Sequence, residues 1–183
     1  MNEPTFGRLA GASAVVAAGC FFGVGVAESG AISEELGASL LAAQGLFLVP
    51  VAIHLWRCLG AEHRAVASAS AISGICSLLL WGTAPITGAW HLEAAWIALS
   101  AAWWAPTGLL LRRRRRAWGT FTVILGVAAG LDAVMTALEG RIPFWLFAAL
   151  GGWKLPLSLV WMIWSGITLL RRPVVVSEAA GSR

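Results

Sequence analysis

The chain has no tyrosine, a single lysine and little charge of either sign, with Asp, Glu, Lys and Arg together making up 12% of its 183 residues. A water-facing domain carries about twice that fraction, so a soluble globular protein is excluded. Cys20, Cys58 and Cys76 are odd in number and form no CxxC, which leaves no disulfide framework and no redox or zinc motif. The three histidines, His54, His63 and His91, fall near the ends of apolar runs and offer no pair of axial haem ligands within one bilayer depth. There is no HExxH, and His91-Leu92-Glu93 has the wrong spacing for zinc. Ser73-Gly74 has the look of an intramembrane nucleophile, but no later apolar run holds a histidine to act as its base. A phosphate-cradling glycine loop is missing too. No metal, no cofactor and no nucleic-acid partner is therefore expected, and no catalytic residue is indicated.

What the chain has is apolar length. Hydrophobic residues make up 58% of it and the mean hydropathy is +0.78. They lie in runs of about 20, the length a helix needs to cross a ~30 Å hydrocarbon layer. The runs are continuous rather than alternating and rich in Ala, Leu and Gly, which excludes barrel strands. The expected fold is all-α, a polytopic transmembrane bundle with six membrane-spanning helices at about 7–27, 37–58, 65–84, 91–111, 118–138 and 144–170. Residues 1–172 would form this one domain and 173–183 a short cytoplasmic tail.

Charge fixes the expected orientation. Of the 13 Lys and Arg residues, all but Arg141 and Lys154 fall on one side of the alternating pattern. The positive-inside rule then places both termini in the cytoplasm, in a multi-pass protein of the cell membrane. Glu28, Glu34, Glu35, Glu93 and Glu139 gather at the opposite ends. The pI near 9.8 thus reports topology rather than nucleic-acid affinity. Gly25-Val26-Ala27 has the small residues of a signal-peptidase site and Ala17-Ala18-Gly19-Cys20 loosely those of a lipobox. The segment up to Arg8 has no net positive charge, however, so the first span is expected to stay in place.

The densest charge is Arg112, Arg113, Arg114, Arg115 and Arg116, directly after an apolar Gly-Leu-Leu-Leu. A stop-transfer anchor in contact with anionic lipid headgroups is the expected role. Within the spans, polar residues at helical spacing form stripes that should face inward. The third span offers Ser70, Ser73, Ser77 and Trp81, the fourth Glu93, Ser100, Trp104 and Thr107, and the sixth Lys154, Ser158, Trp161, Ser165 and Thr168. Gly7/Gly11, Gly19/Gly23 and Gly126/Gly130 have the four-residue spacing of close helix packing.

Charges inside a span cost about 2.5–3.5 kcal/mol even on the lenient insertion scale, so Asp132 and Lys154 need an account. They lie roughly 9 and 15 Å from the outer face at 1.5 Å per residue, on adjacent antiparallel helices that would let them pair. Glu28, Gln44, Glu93, Asp132 and Lys154 could otherwise converge on one polar cavity, with Trp104 and Trp161 supplying aromatic walls for an apolar or cationic ligand. Among the 11 tryptophans, Trp81, Trp90, Trp118 and Trp145 are expected at the headgroup level, and Trp96, Trp103, Trp104, Trp153, Trp161 and Trp164 deeper. Gly151-Gly152 and Pro156 should kink or partly unwind the sixth helix, as binding-site helices often are, with weaker versions of the signal at Pro50 and Pro106.

Arg8-Leu9-Ala10-Gly11 at the start and Trp161-Met162-Ile163-Trp164-Ser165-Gly166 before Arg171-Arg172 resemble small six-helix bacterial integral membrane proteins grouped as families of unknown function. The resemblance concerns layout over most of the chain; it implies a compact bundle and carries no catalytic residue across. The leading functional expectation is a non-enzymatic membrane protein that binds or transports a small amphipathic or cationic molecule through an outward-facing polar and aromatic cavity. The alternatives are a membrane-embedded enzyme acting on a lipid-like substrate, with a buried carboxylate as general acid, and a structural or assembly subunit of a homo- or hetero-oligomer.

Overall fold

The computed structural model describes residues 3–138, 141 and 153–171. Among these there are six helices and no strand. Helix α1 runs Glu3–Glu28 and a turn through Gly30, held at φ 79°, leads to the next helix. That helix starts at Ser33, whose side chain accepts from the Leu36 N–H, with Glu34 and Glu35 complementing the helix dipole. Helical hydrogen bonding then continues to Thr87 but is broken at His63 (φ −140°, ψ 60°). The break separates α2, Glu34–Gly60, from α3, His63–Ala84. They fold back on one another: Gly45 lies against the Leu78 carbonyl, Gly82 against Ala42, and Trp56 Nε1 donates to Ser68 Oγ at 3.0 Å. Each pair sits about equally far either side of the break, as an antiparallel hairpin requires.

Gly88, at φ 67°, ends the second arm by donating to the Ala84 carbonyl, and a 3₁₀ turn, Ala89–Leu92, leads into α4, Glu93–Arg114. Helix α5, Arg116–Ala137, follows after one non-helical residue, Arg115 (φ −142°, ψ 83°). The five arginines, expected as a stop-transfer anchor, also make the turn itself. Three close α4, where cations favour the exposed carbonyl end of the dipole. Helix α6 is Lys154–Arg171.

Five of the helices, α1 to α5, are long and apolar enough to cross a membrane. Helix α6, at 18 residues, reaches about 27 Å, and the stretch 144–152 expected to begin the sixth span lies outside the described residues, as do Glu139, Trp145 and the tail. Pro156 is the third residue of α6, inside the first turn where no intrahelical N–H is needed, and Gly151-Gly152, with which it was expected to kink or partly unwind the span, lie outside the described residues. Helix α4 runs on through Pro106, and the one non-helical residue inside the α2–α3 stretch is His63 rather than Pro50.

The outer surface is apolar. Phe22, Leu46, Ile72, Leu109 and Val127 are each more than half exposed, while the interior holds small residues and large indoles such as Ala14, Ala129, Trp103 and Trp161. A water-soluble bundle would reverse that order; this one is compatible with an integral membrane protein. Its tightest seam joins α4 to α5. A Cβ placed on Gly119 would overlap the Arg112 backbone nitrogen, and one on Gly108 or Gly126 would lie 2.5 Å from that of Val123 or Ala105. Small residues here let two backbones touch. Gly11 does the same against Gly166 and Leu170 of α6, and Gly23 meets Leu40, whereas Gly19 faces open space.

Candidate functional site

The polar stripes meet. Ser70 Oγ lies 2.7 Å from Thr107 Oγ1 and also donates to the Trp103 carbonyl, and one turn-pair further along Ser77 Oγ lies 2.6 Å from Ser100 Oγ and donates to the Trp96 carbonyl. These bonds join α3 to α4 along the faces where the helical spacing placed them. On α6, Lys154, Ser158, Trp161 and Ser165 are buried and Thr168 half-buried.

Lys154 and Asp132 form an ion pair, Nζ to Oδ2 at 3.0 Å, between the first turn of α6 and the last third of α5. The ammonium also sits 5.2 Å from the centre of the Trp81 ring, a cation–π contact. Both residues are more than nine-tenths buried. Neutralisation by a close partner is what makes two charges tolerable at such depth.

Beside the pair is a cavity of about 40 Å³ bounded by α1, α2, α3, α4 and α6. On the scale of 10–15 Å³ per water it admits roughly three. Gln44, Ser77, Trp81, Ser100, Trp104 and Lys154 give it a polar wall; Phe21, Leu48, Leu78, Leu155 and Met162 are apolar. Three residues of this wall carry a buried polar atom with no hydrogen-bonding partner among the described residues, each closed off from water-sized space: Gln44 Oε1, Trp81 Nε1 and Trp104 Nε1. The Gln44 amide nitrogen faces Met162 Sδ at 3.9 Å; the opposite orientation would set two acceptors, oxygen and sulfur, against each other. Unpaired buried polar atoms are uncommon in native folds, since each costs about 1–3 kcal/mol.

The neighbouring indoles differ. Trp161 Nε1 donates to Thr122 Oγ1, which donates to the Trp118 carbonyl, and Trp118 Nε1 donates to Ser165 Oγ, all within 2.8–2.9 Å. Trp103, Trp104 and Trp161 form one cluster, with Trp103 and Trp104 stacked at 5.6 Å and Trp161 edge-on to Trp103 at 5.7 Å. Trp161 thereby backs the cavity without lining it.

Of the residues singled out from the sequence, the structure gathers Gln44, Trp104 and Lys154 on the cavity, with Asp132 and Trp161 immediately behind. It keeps two others apart. Glu28 is exposed at the end of α1, in a separate surface depression with Glu34 and Glu35. Glu93 opens α4, half-buried, where its charge suits the helix N-terminus, and is not part of the cavity wall. Trp118, the third residue of α5, is enclosed by the bundle, where Ser165 gives its N–H a partner, and Trp164, mid-way along α6, is exposed on the outer face. Trp81, expected at the interface, is half-buried beneath Lys154. Ser77 and Ser100 belonged to the stripes but not to the expected site; two facing serine stripes with a tryptophan on each were the signal available.

At the other end of the bundle, Arg112, Arg113 and Arg116 are exposed, Arg113 is hydrogen-bonded to His63, and Arg57 lies over the Phe6 ring at 5.4 Å. The α2–α3 and α4–α5 turns, both bearing arginine, are therefore on the same side. Among the described residues no group of three or more His, Cys, Asp or Glu could hold a metal ion. Compared with family models, curated proteins and solved structures, the chain matches none.

Proposed function

We propose that this is a multi-pass protein of the cytoplasmic membrane, with its arginine-rich end and both termini in the cytoplasm, that binds or moves a small amphipathic molecule through the cavity beside Asp132 and Lys154. The observation that carries the reading is a cavity with Gln44, Ser77, Ser100 and Lys154 in its wall inside an otherwise apolar bundle. A purely structural core would bury methyl groups there. Lys154 and Asp132 hold the wall in place, and Trp161 fixes Trp104 from behind. Arg112, Arg113, Arg114, Arg115 and Arg116 would contact anionic headgroups of the inner leaflet.

A cationic ligand fits less well, because the wall already presents an ammonium whose carboxylate is engaged. The enzymatic reading loses its acid for a similar reason: Asp132 is committed to Lys154, and Glu28 and Glu93 do not line the cavity. One observation favours an assembly role alongside binding, the open space at Gly19 on an exposed face of α1, where a second helix could approach.

Native mass spectrometry of the full chain released from mild detergent tests the proposal. A discrete organic mass retained on the protein, and lost in Trp104→Ala, supports it. A bare protein, or one carrying bulk phospholipid alone, counts against it.

A further inference from the structure

Three polar contacts cross from α3 to α4 along one line. Ser77 meets Ser100, Ser70 meets Thr107, and His63 meets Arg113. The α3 members are seven residues apart and the α4 members seven and six, about two helical turns each time, so the three are successive rungs of one antiparallel seam. The first rung belongs to the cavity wall. The last stands at the arginine-rich end, where His63 is the non-helical residue between α2 and α3.

The rungs differ in what acid does to them. Two are hydroxyl pairs within the bundle, and hydroxyls neither gain nor lose a proton near neutral pH. His63–Arg113 is of another kind. A guanidinium has only donors, so where Arg113 Nη1 meets His63 Nε2 the imidazole nitrogen must accept. That makes His63 neutral, with its proton on Nδ1. A second proton, on Nε2, removes the accepting lone pair and sets two cations face to face.

The surroundings add no compensating charge among the described residues. Arg57 and Arg64 flank the α2–α3 turn, and Arg112, Arg114, Arg115 and Arg116 lie at the α4–α5 turn with Arg113. Glu62, which precedes His63, has its side chain outside the described residues. An imidazole ordinarily changes charge between about pH 5 and 8, so of the three rungs this one alone responds to acid. Its bond is present while the imidazole is neutral and is lost as pH falls.

We infer that His63 and Arg113 form a pH-sensitive latch at the arginine-rich end of the α3–α4 seam. It is closed while His63 is neutral and open once His63 is protonated, and the two hydroxyl rungs hold the rest of the seam in both states. The latch stands apart from the reading of the cavity and does not depend on a ligand there.

The test uses the full chain in phosphatidylcholine nanodiscs with ¹⁵N-labelled histidine, followed by NMR from about pH 8 to about pH 4.5, a span that brackets an imidazole. The His63 signals are those missing from His63→Gln. At the alkaline end they should show the Nδ1–H tautomer, and Arg113→Met, which removes the donor, should mix the two tautomers. Amide hydrogen exchange in both turns, corrected for its intrinsic pH dependence, should quicken roughly tenfold as His63 protonates, the loss of about one hydrogen bond. In His63→Gln the amide oxygen accepts from Arg113 at every pH, so protection should persist in acid. An Nε2–H tautomer at the alkaline end would mean that Nε2 does not accept, and the latch falls. Exchange that quickens equally in His63→Gln would place the acid response on another group, Glu62 included, and exchange indifferent to the protonation of His63 would mean that the contact holds nothing shut. Either result overturns the inference.

Discussion

The α4–α5 hairpin and the space between α6 and helices α2 to α4 are built on opposite plans. Along the hairpin, Gly108, Gly119 and Gly126 bring backbone against backbone, leaving no room for a methyl group. Around the cavity the same bundle holds helices apart with Trp81, Trp103 and Trp104, buries an ion pair, and leaves polar atoms without partners. In a bilayer neither plan is driven by hydrophobic burial, because lipid is as apolar as the core; packing contact and polar satisfaction decide. The hairpin maximises the first. The cavity region gives up part of each: Gln44, Trp81 and Trp104 keep partnerless polar atoms there, while Ser77, Ser100 and Lys154 are paired.

The largest expected effect breaks the cavity's own support. Lys154→Met alone leaves Asp132 buried without its partner and should cost about 3–5 kcal/mol. Asp132→Asn combined with Lys154→Met removes the charge from both sides and should recover most of that loss. Reversible unfolding in mixed SDS micelles measures both; equal losses in the single and double variants would mean that the pair contributes nothing as a pair.

The hairpin responds to volume instead. Gly119→Leu and Gly126→Leu force side chains into backbone that has no rotamer to yield, and each should cost about 1–3 kcal/mol or more. Gly19→Leu, facing open space, should stay within about 0.5 kcal/mol of the parent chain. The same unfolding assay ranks the three, and a Gly19 variant as damaging as Gly119 would mean that α1 is packed against another chain in the membrane.

The two regions were not equally legible in the sequence. The serine stripes of α3 and α4 could be read because a 3.6-residue period leaves a polar residue only one face to occupy, and Ser70–Thr107 and Ser77–Ser100 pair across that face. The meeting of Asp132 and Lys154 was legible because a charge within a span is unaffordable alone. Tryptophan was not: position along a span says how near its end an indole lies and not which way it faces, and Trp118 turns into the bundle, where Ser165 partners it, while Trp164 faces out. The fate of Glu28 and Glu93 was hidden for a different reason. Their position at helix ends says which face of the membrane they are near, and says nothing about whether the cavity reaches that far.

A smaller effect separates satisfied from unsatisfied polar groups on the hairpin side. Ser165→Ala leaves the Trp118 N–H buried with no acceptor and should cost about 1–3 kcal/mol. Ser29→Ala, whose hydroxyl is exposed and bonds only to the preceding turn, should be near neutral. Unfolding midpoints that fail to separate the two would show that water reaches Trp118.

The smallest effect is the most discriminating. Trp104→Phe and Trp161→Phe remove the same indole-to-phenyl volume from two rings of one cluster, 6.1 Å apart. The cavity term is therefore similar in both and cancels in their difference. What remains is polar: Trp161 loses the hydrogen bond to Thr122, while Trp104 loses an N–H that had no partner. Trp161→Phe should accordingly be the worse by about 0.6 kcal/mol, the average for a polar contact between membrane helices. Equal losses in the two variants would place the Trp104 N–H with that of Trp161 in the scaffold, and would erase the distinction between the two regions at the point where they touch.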